Sequence, residues 1–428
     1  MQWKLKALLP VLLIGGLTLA GCGGDDDSGT SPTPPDEGQQ VVVNGEITGD
    51  TTWTSNNQYL LQGAVFVRTG ATLTIQAGTT IFGDQATTGT LVIDRGGRLI
   101  AQGDASNPIV FTSSAAAGSR ARGQWGGLIL NGYAPLNIPG GEAEGEGNTG
   151  RYGGNDPSDS SGILRYVRVE FAGIEFSPDN ELNGIAFQGT GGGTACDHLQ
   201  VKFNQDDGFE WFGGTTSCKY LVSSANADDS FDWTDGYQGR GQFWIAQQRG
   251  DDADNGFECD NNAENRDAAP RSSPRIYNVT LIGDPDTNEG TESDDGMVLR
   301  EGTGGEFRNF IVMGFKETGI SVRDRSQELV NNGLSLANTI TWQNAGGDYE
   351  GEGGRWAGDP TNLRVDPELG APYNLANPNF MPSASGAARN GTVPVAPPPG
   401  GDFFESVNFI GAMGATDWTE GWTDFSQN

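Results

Sequence analysis

Long apolar helical periodicity is missing from this sequence, and only 35% of its 428 residues are hydrophobic. That argues against a helical architecture. Basic residues are scarce: 25 Lys and Arg stand against 56 Asp and Glu, a formal charge of −31. Such a field repels a phosphate backbone, which excludes nucleic acid as a partner. Cysteine is limited to four residues with no C-x2-C spacing, and histidine to His198 alone. A zinc site built on paired cysteines is thereby excluded. What the chain has in quantity is glycine, 67 residues, together with acids. Many short strands joined by tight turns suit that profile, and the acidity suits a secreted protein in a cation-rich medium.

The first residues read as an address. "MQWKLK" supplies Lys4 and Lys6 ahead of the apolar "ALLPVLLIGGLTLA", which is too short and glycine-rich for a permanent span. "LAGC" follows, and Leu19-Ala20-Gly21-Cys22 resembles the lipobox of bacterial lipoproteins. The resemblance implies a signal peptide over 1–21, cleavage before Cys22, and acylation of that thiol. Gly23 at the next position resembles lipoproteins that travel to the outer membrane. The expected location is therefore an outer-membrane lipoprotein, on its periplasmic or cell-surface side, held to the membrane by its lipid. Residues 22–40 read as a flexible acidic tether.

From residue 41 short alternating strands begin, as in "GAVFVRTGATLTIQAGTTIFGD". In the middle of the chain one segment recurs: "ELNGIAFQGTG" at 181, "QDDGFEWFGGT" at 205, "ADDSFDWTDGY" at 227, "ADNGFECDNNA" at 253, "SDDGMVLREGT" at 293 and "KETGISVRDRS" at 316. Most steps are roughly one rung of a parallel β-helix, and a second strand such as "CDHLQVKF" or "CKYLVSSA" precedes each copy. The fold class expected is all-β: a single-stranded right-handed parallel β-helix over 41–345, a Gly/Pro/Asn-rich excursion over 346–401, and a C-terminal aromatic segment, 402–428, that docks on the helix and caps its open C-terminal end. Phe209, Phe231, Phe257 and Met297 should stack inward, as should Trp211, Trp233, Cys259 and Leu299. Cys196 and Cys218 fall in one column of consecutive rungs, within bridging distance if strands lie about 4.8 Å apart. A disulfide is expected there, and a buried free thiol at Cys259.

Together "TWTSNNQYLL", "GATLTIQAGT", "GQWGGLILNG", "RYGGNDPSDSSGILRYVRVEFAG", "DDGFEWFGGT" and "FFESVNFIGAMGATDWTEGWTDF" resemble a family of bacterial right-handed parallel β-helix lipoproteins across nearly the whole mature chain. The family consists mainly of uncharacterised envelope proteins, so the resemblance implies a fold and a location more than an activity.

Stacking turns the repeated acids into columns: Asp206, Asp228, Asp254 and Asp294; Asp207, Asp229, Asn255 and Asp295; and an outward set, Glu210, Asp232 and Glu258. Like charges about 5 Å apart repel by roughly 3 kcal/mol at an effective dielectric near 20. Such a ridge calls for cations, and calcium, with six to eight oxygen ligands in flexible geometry, fits best. Local turn preference of Asp and Asn before Gly is the competing explanation of the first two columns. The expected function is a calcium-stabilised scaffold or recognition protein of the envelope. Glycan rings stacking on Tyr166, Tyr220 and Tyr237, or an outer-membrane receptor, are the expected partners. The alternative is a polysaccharide lyase or hydrolase. Adjacent Asp206 and Asp207 imitate a hydrolase pair, but His198 lies in "CDHLQ" and reads as a ladder residue between Tyr166 and Tyr220. Arg300 is the candidate base of a lyase, or else a charge neutralising nearby acids. No catalytic residue is assigned.

Overall fold

A computed structural model describes residues 38–177, 180–286 and 290–427. Cys22, the signal segment and residues 22–37 of the tether lie outside them.

Parallel pairing runs from rung to rung as the repeat requires. The long strands Gly162–Glu170, Ala195–Lys202, Ser217–Ser224, Arg240–Gln247, Arg275–Ile282 and Gly305–Met313 each pair with the next. The short strands Ile185–Gln188, Phe209–Phe212, Phe231–Thr234, Phe257–Cys259, Met297–Leu299 and Thr318–Val322 form a second wall in the same way. The chain is a right-handed parallel β-helix, all-β, with 25 of its described strands in one sheet wound nearly closed and three small antiparallel pairs outside it. Gly208 shows why the turn before the short wall is tight: a Cβ there would lie 2.5 Å from Asn226 Nδ2 and 2.6 Å from Ser223 Oγ, so only glycine fits without displacement.

Each long strand bends part-way, at a residue with positive φ. Tyr166, His198, Tyr220, Phe243, Asn278 and Asn309 occupy this corner, with φ between 49° and 64°. Side chains at equivalent corners land on one another, so that Tyr166 and His198 stack at 4.3 Å, His198 and Tyr220 at 4.3 Å, and Tyr220 and Phe243 at 4.9 Å. His198 is thus a ladder residue, as expected.

The core is built of ladders. Phe209 pairs with Phe231, Phe231 with Phe257 and Phe257 with Met297, all fully buried, and Trp211 pairs with Trp233 two residues on. Trp211 also stacks on Trp244 from the long wall at 5.1 Å, so neighbouring walls interlock. Cys196 and Cys218 sit 4.7 Å apart at Cα and are disulfide-bonded, and Cys259 is a buried free thiol. Tyr237 departs from expectation: it is fully buried within the core, its hydroxyl donating to Thr216 O at 2.9 Å, and presents no ring to solvent. Phenolic oxygen can be buried there because the turn carbonyl satisfies it.

The C-terminal part also differs from expectation. Stacking continues beyond residue 345 through Gly347–Glu350 and Leu363–Arg364. The core closes under Trp356, in the turn Gly351–Gly358, which shares one apolar cluster with Ile320 and Val322. The segment after it does not cap this end. It runs back along the flank of the long wall, where amides in the wall grip its backbone. Asn338 Nδ2 donates to Pro394 O (2.7 Å), Asn278 Nδ2 to Phe409 O (3.0 Å), and Gln242 and Gln200 each make a pair of 2.8 Å bonds, to Glu405 and Asp424 respectively. An amide offers a donor and an acceptor side by side, as a neighbouring strand would, so the wall is covered by a strap without a further rung. Trp418 and Trp422 lie edge-on against the Tyr166–His198–Tyr220 stack.

Candidate metal centre

Alternation places Phe209 and Trp211 inward, so Glu210 between them faces away from the core. Glu210 pairs with Asp232 and Asp232 with Glu258, one rung apart. Ala186 precedes this column and Val298 follows it, so the carboxylates are bounded at both ends by apolar positions. Asp206 and Asp207, Asp228 and Asp229, and Asp254, which precede the short strands of successive rungs, lie alongside. Four groups result in which one ligand oxygen from each residue lies within 4.8 Å of the others: Asp206, Asp207 and Asp228; Asp228, Asp229 and Asp254; Asp207, Glu210 and Asp232; and Asp229, Asp232 and Glu258. The second group is the first moved up one rung, and the fourth is the third moved up one rung.

Asp207 and its successors also clamp rungs together. Asp207 Oδ1 accepts from Asp229 N at 3.0 Å, Asp229 Oδ1 from Asn255 N at 2.6 Å, and Asp295 Oδ1 from Thr318 N at 2.7 Å. Turn chemistry therefore accounts for one oxygen of each carboxylate in this column. The Glu210 column has no such backbone role. Asp232 Oδ1 is buried without a hydrogen-bond partner, as is Asn183 Oδ1, while Asn183 Nδ2 donates to Glu210.

These acids are less open than an outward ridge implies. Glu210 is only 8% exposed. The hairpin strand Arg151–Gly153 places Tyr152 against Phe212 at 5.9 Å, and the neighbouring Leu182 belongs to an apolar cluster with Ala186. These side chains roof the Glu210 end of the column and make a trough of it, while Asp228 and Asp254 alongside stay more open. Burial raises the pKa values throughout, neighbouring carboxylates add to it, and at Glu258 the charge of Arg300 opposes it. Asp206 and Glu258 are each pushed up to about 8, and Asp207, Glu210, Asp229 and Asp232 lie well above the usual range. Desolvation dominates because it penalises the charged form first.

Arg300 closes the far end. It donates to Glu258 and, at 3.0 Å, to Asp260 Oδ1. Asp295 pairs with Arg323 Nη2 at 2.6 Å, and neither Asp294 nor Asp295 joins any of the four groups. Asp260 and Asn183 belong to the trough although sequence reasoning passed over them. Asp260 was detectable, since it lies two positions after Glu258 and alternation turns it to the same face.

Parallel strands, an acid-lined wall and roofing loops are now in place, and a family model for the pectate-lyase like beta helix domain matches residues 45–369. The chain belongs to this pectate-lyase-like β-helix family. Neither curated proteins nor solved structures give a match to it. Membership of a pectate-lyase-like β-helix family fits a polysaccharide-related role. Within that frame the trough supplies clustered carboxylates that can hold a metal ion. Oxygen-only donors select a hard cation, and the orphaned Asp232 Oδ1 fits one, since a cation would meet the lone pairs that no donor reaches.

Proposed function

We propose that this protein is a calcium-stabilised β-helix of the cell envelope that recognises polysaccharide. The reading rests chiefly on the repeat of two three-carboxylate arrangements, each at two successive rungs and each within 4.8 Å. Asp207, Asp228, Asp229 and Asp232 each serve two groups, so calcium ions in adjacent positions would share ligands. When bound, calcium supplies positive charge to a wall that otherwise repels itself, and it gives acidic sugars a bridge to an anionic protein. Chain residues do the rest: the Asp207 column fixes the rung spacing, and Arg300 compensates Glu258 and Asp260. The "LAGC" motif supports lipid attachment through Cys22 and an outer-membrane location, with glycan or an outer-membrane receptor as partner.

The second reading is a polysaccharide lyase, favoured by Arg300 beside the trough. Against it, burial lowers the pKa of Arg300 but the bond to Asp260 and the charge of Glu258 raise it further, so the guanidinium keeps its proton and is poorly suited to act as a base. Calorimetric titration with calcium, followed by a glycan array with and without chelator, tests the first reading. Unsaturated sugars released from a polysaccharide panel, and lost in Arg300→Ala, would establish the second.

A further inference from the structure

A cationic cavity lies outside the trough. It occupies about 310 Å³ and is lined by Arg120, Arg122 and Arg249, with Phe203, Gln205 and Asp251. Three guanidiniums meeting at one cavity is unexpected in a chain with more than two acids for every base. Distant segments assemble it: the loop before the strand Leu128–Asn131, which carries Arg120 and Arg122, the turn after Ala195–Lys202 with Phe203, the turn after Arg240–Gln247 with Arg249 and Asp251, and the end of the strap, whose Gln427 Oε1 accepts from Arg249 at 3.2 Å.

The guanidiniums are held in place. Arg122 Nε and Nη2 both donate to Ala225 O, at 3.0 and 2.6 Å, and Nη2 also reaches Asp251 Oδ1 at 3.0 Å. Its guanidinium lies 5.7 Å from the ring centre of Phe203. These bonds leave Nη1 of Arg122 available. Arg120 spends Nε on Ala115 O at 3.1 Å and meets no carboxylate among the described residues, although most described arginines do. Arg249 Nε meets Asp251 Oδ2 at 3.2 Å, so one carboxylate is shared by two of the three guanidiniums, and Arg122 Nη1 together with Arg120 is what the cavity offers an oxyanion. The volume, at the low end for small-ligand sites, suits one sugar ring or a terminal group.

We infer that this cavity is an oxyanion site for the sulfate ester or carboxylate of an acidic glycan, independent of calcium. This rests on the polysaccharide-recognition reading above and adds a second contact point to it. Gln205 lines both this cavity and the open cleft formed by Asp228, Asp254 and Asp294, so a chain anchored at the arginines would pass beside the acidic wall.

The test is titration calorimetry on the full chain in chelator, using chondroitin 4-sulfate disaccharide, digalacturonate, lactose and sodium sulfate, repeated with Arg120→Gln. Expected are binding of one or both acidic disaccharides, none of lactose, and at least tenfold weaker binding in Arg120→Gln at an unchanged melting temperature. Unaltered affinity in Arg120→Gln overturns the site. So does sodium sulfate binding as tightly as the sugars, which would make the ligand a free anion. Glycan binding that appears only with calcium overturns this site while leaving the trough's role intact. Failure of every glycan with and without calcium removes both.

Discussion

At the scale of single residues, stacking makes equivalent positions interdependent. Trp211 is fully buried between Phe187 at 5.5 Å and Trp244 at 5.1 Å, so Trp211→Ala should cost about 3–5 kcal/mol by denaturant unfolding. Asp232 is the opposite case. Its carboxylate is buried among Glu258, Asp260 and Asp228, so without metal it opposes folding. Asp232→Asn should raise the melting temperature in chelator and weaken calcium binding by tenfold or more, because Asp232 belongs to two of the four groups. Thermal melts and calorimetry check the two halves separately. A variant that binds calcium like wild type would remove Asp232 from the site. The inward ladders and the disulfide pair could be read from the sequence because identical residues recurred at one spacing. The burial of Tyr237 could not, since a tyrosine in a turn has the same local signature whether its ring points out or in, and only Thr216 O decides it.

At the scale of elements, the strap and the bridged rungs make separate contributions. Lys202 is 1% exposed and donates to Asp424 Oδ2 at 2.7 Å and Ser426 O at 3.2 Å. Burial raises the Asp424 pKa, but Lys202 and the bonds from Ser426 together outweigh it and the net shift is downward. Asp424→Ala strands the ammonium under the strap. The expected cost is about 1–3 kcal/mol, discounted because Asp424 keeps partial solvent contact, with earlier proteolytic cleavage after residue 400. Reducing Cys196–Cys218, a link across 22 residues, should cost about 3 kcal/mol from the freed chain entropy of the unfolded state. The path of the strap was not legible. "FFESVNFIGAMGATDWTEGWTDF" announces that it docks, but Asn278, Gln242 and Gln200 determine where, and these read as ordinary polar positions in alternating strands. The true cap, Trp356, was hidden in a Gly-rich stretch without visible periodicity.

At the scale of the whole molecule, the rung repeat joins fold to site. Columns of acids were legible because the solenoid period is written in the sequence, whereas their enclosure was not, since Tyr152 and Leu182 come from loops whose course the repeat does not dictate. Enclosure has a consequence for pH. Asp206 and Glu258, pushed up to about 8 from ordinary values near 4, bind protons more tightly in the folded state. Their contribution to stability is full below about pH 4 and is lost as pH rises through about 8. In chelator the melting temperature should therefore fall between about pH 5 and pH 8, and calcium should flatten that fall by replacing protons as counter-charge. A melting temperature that rises over the same interval in chelator would contradict the enclosure. The most direct test of the stacked-carboxylate centre is calcium titration of the purified chain at neutral pH, followed by calorimetry and thermal melts, beside an Asp228→Asn/Asp232→Asn variant, which removes a carboxylate from each of the four groups. Predicted are measurable heat, more than one ion per chain, a higher melting temperature, and loss of all three in the variant; no heat and no thermal shift at millimolar calcium would contradict it.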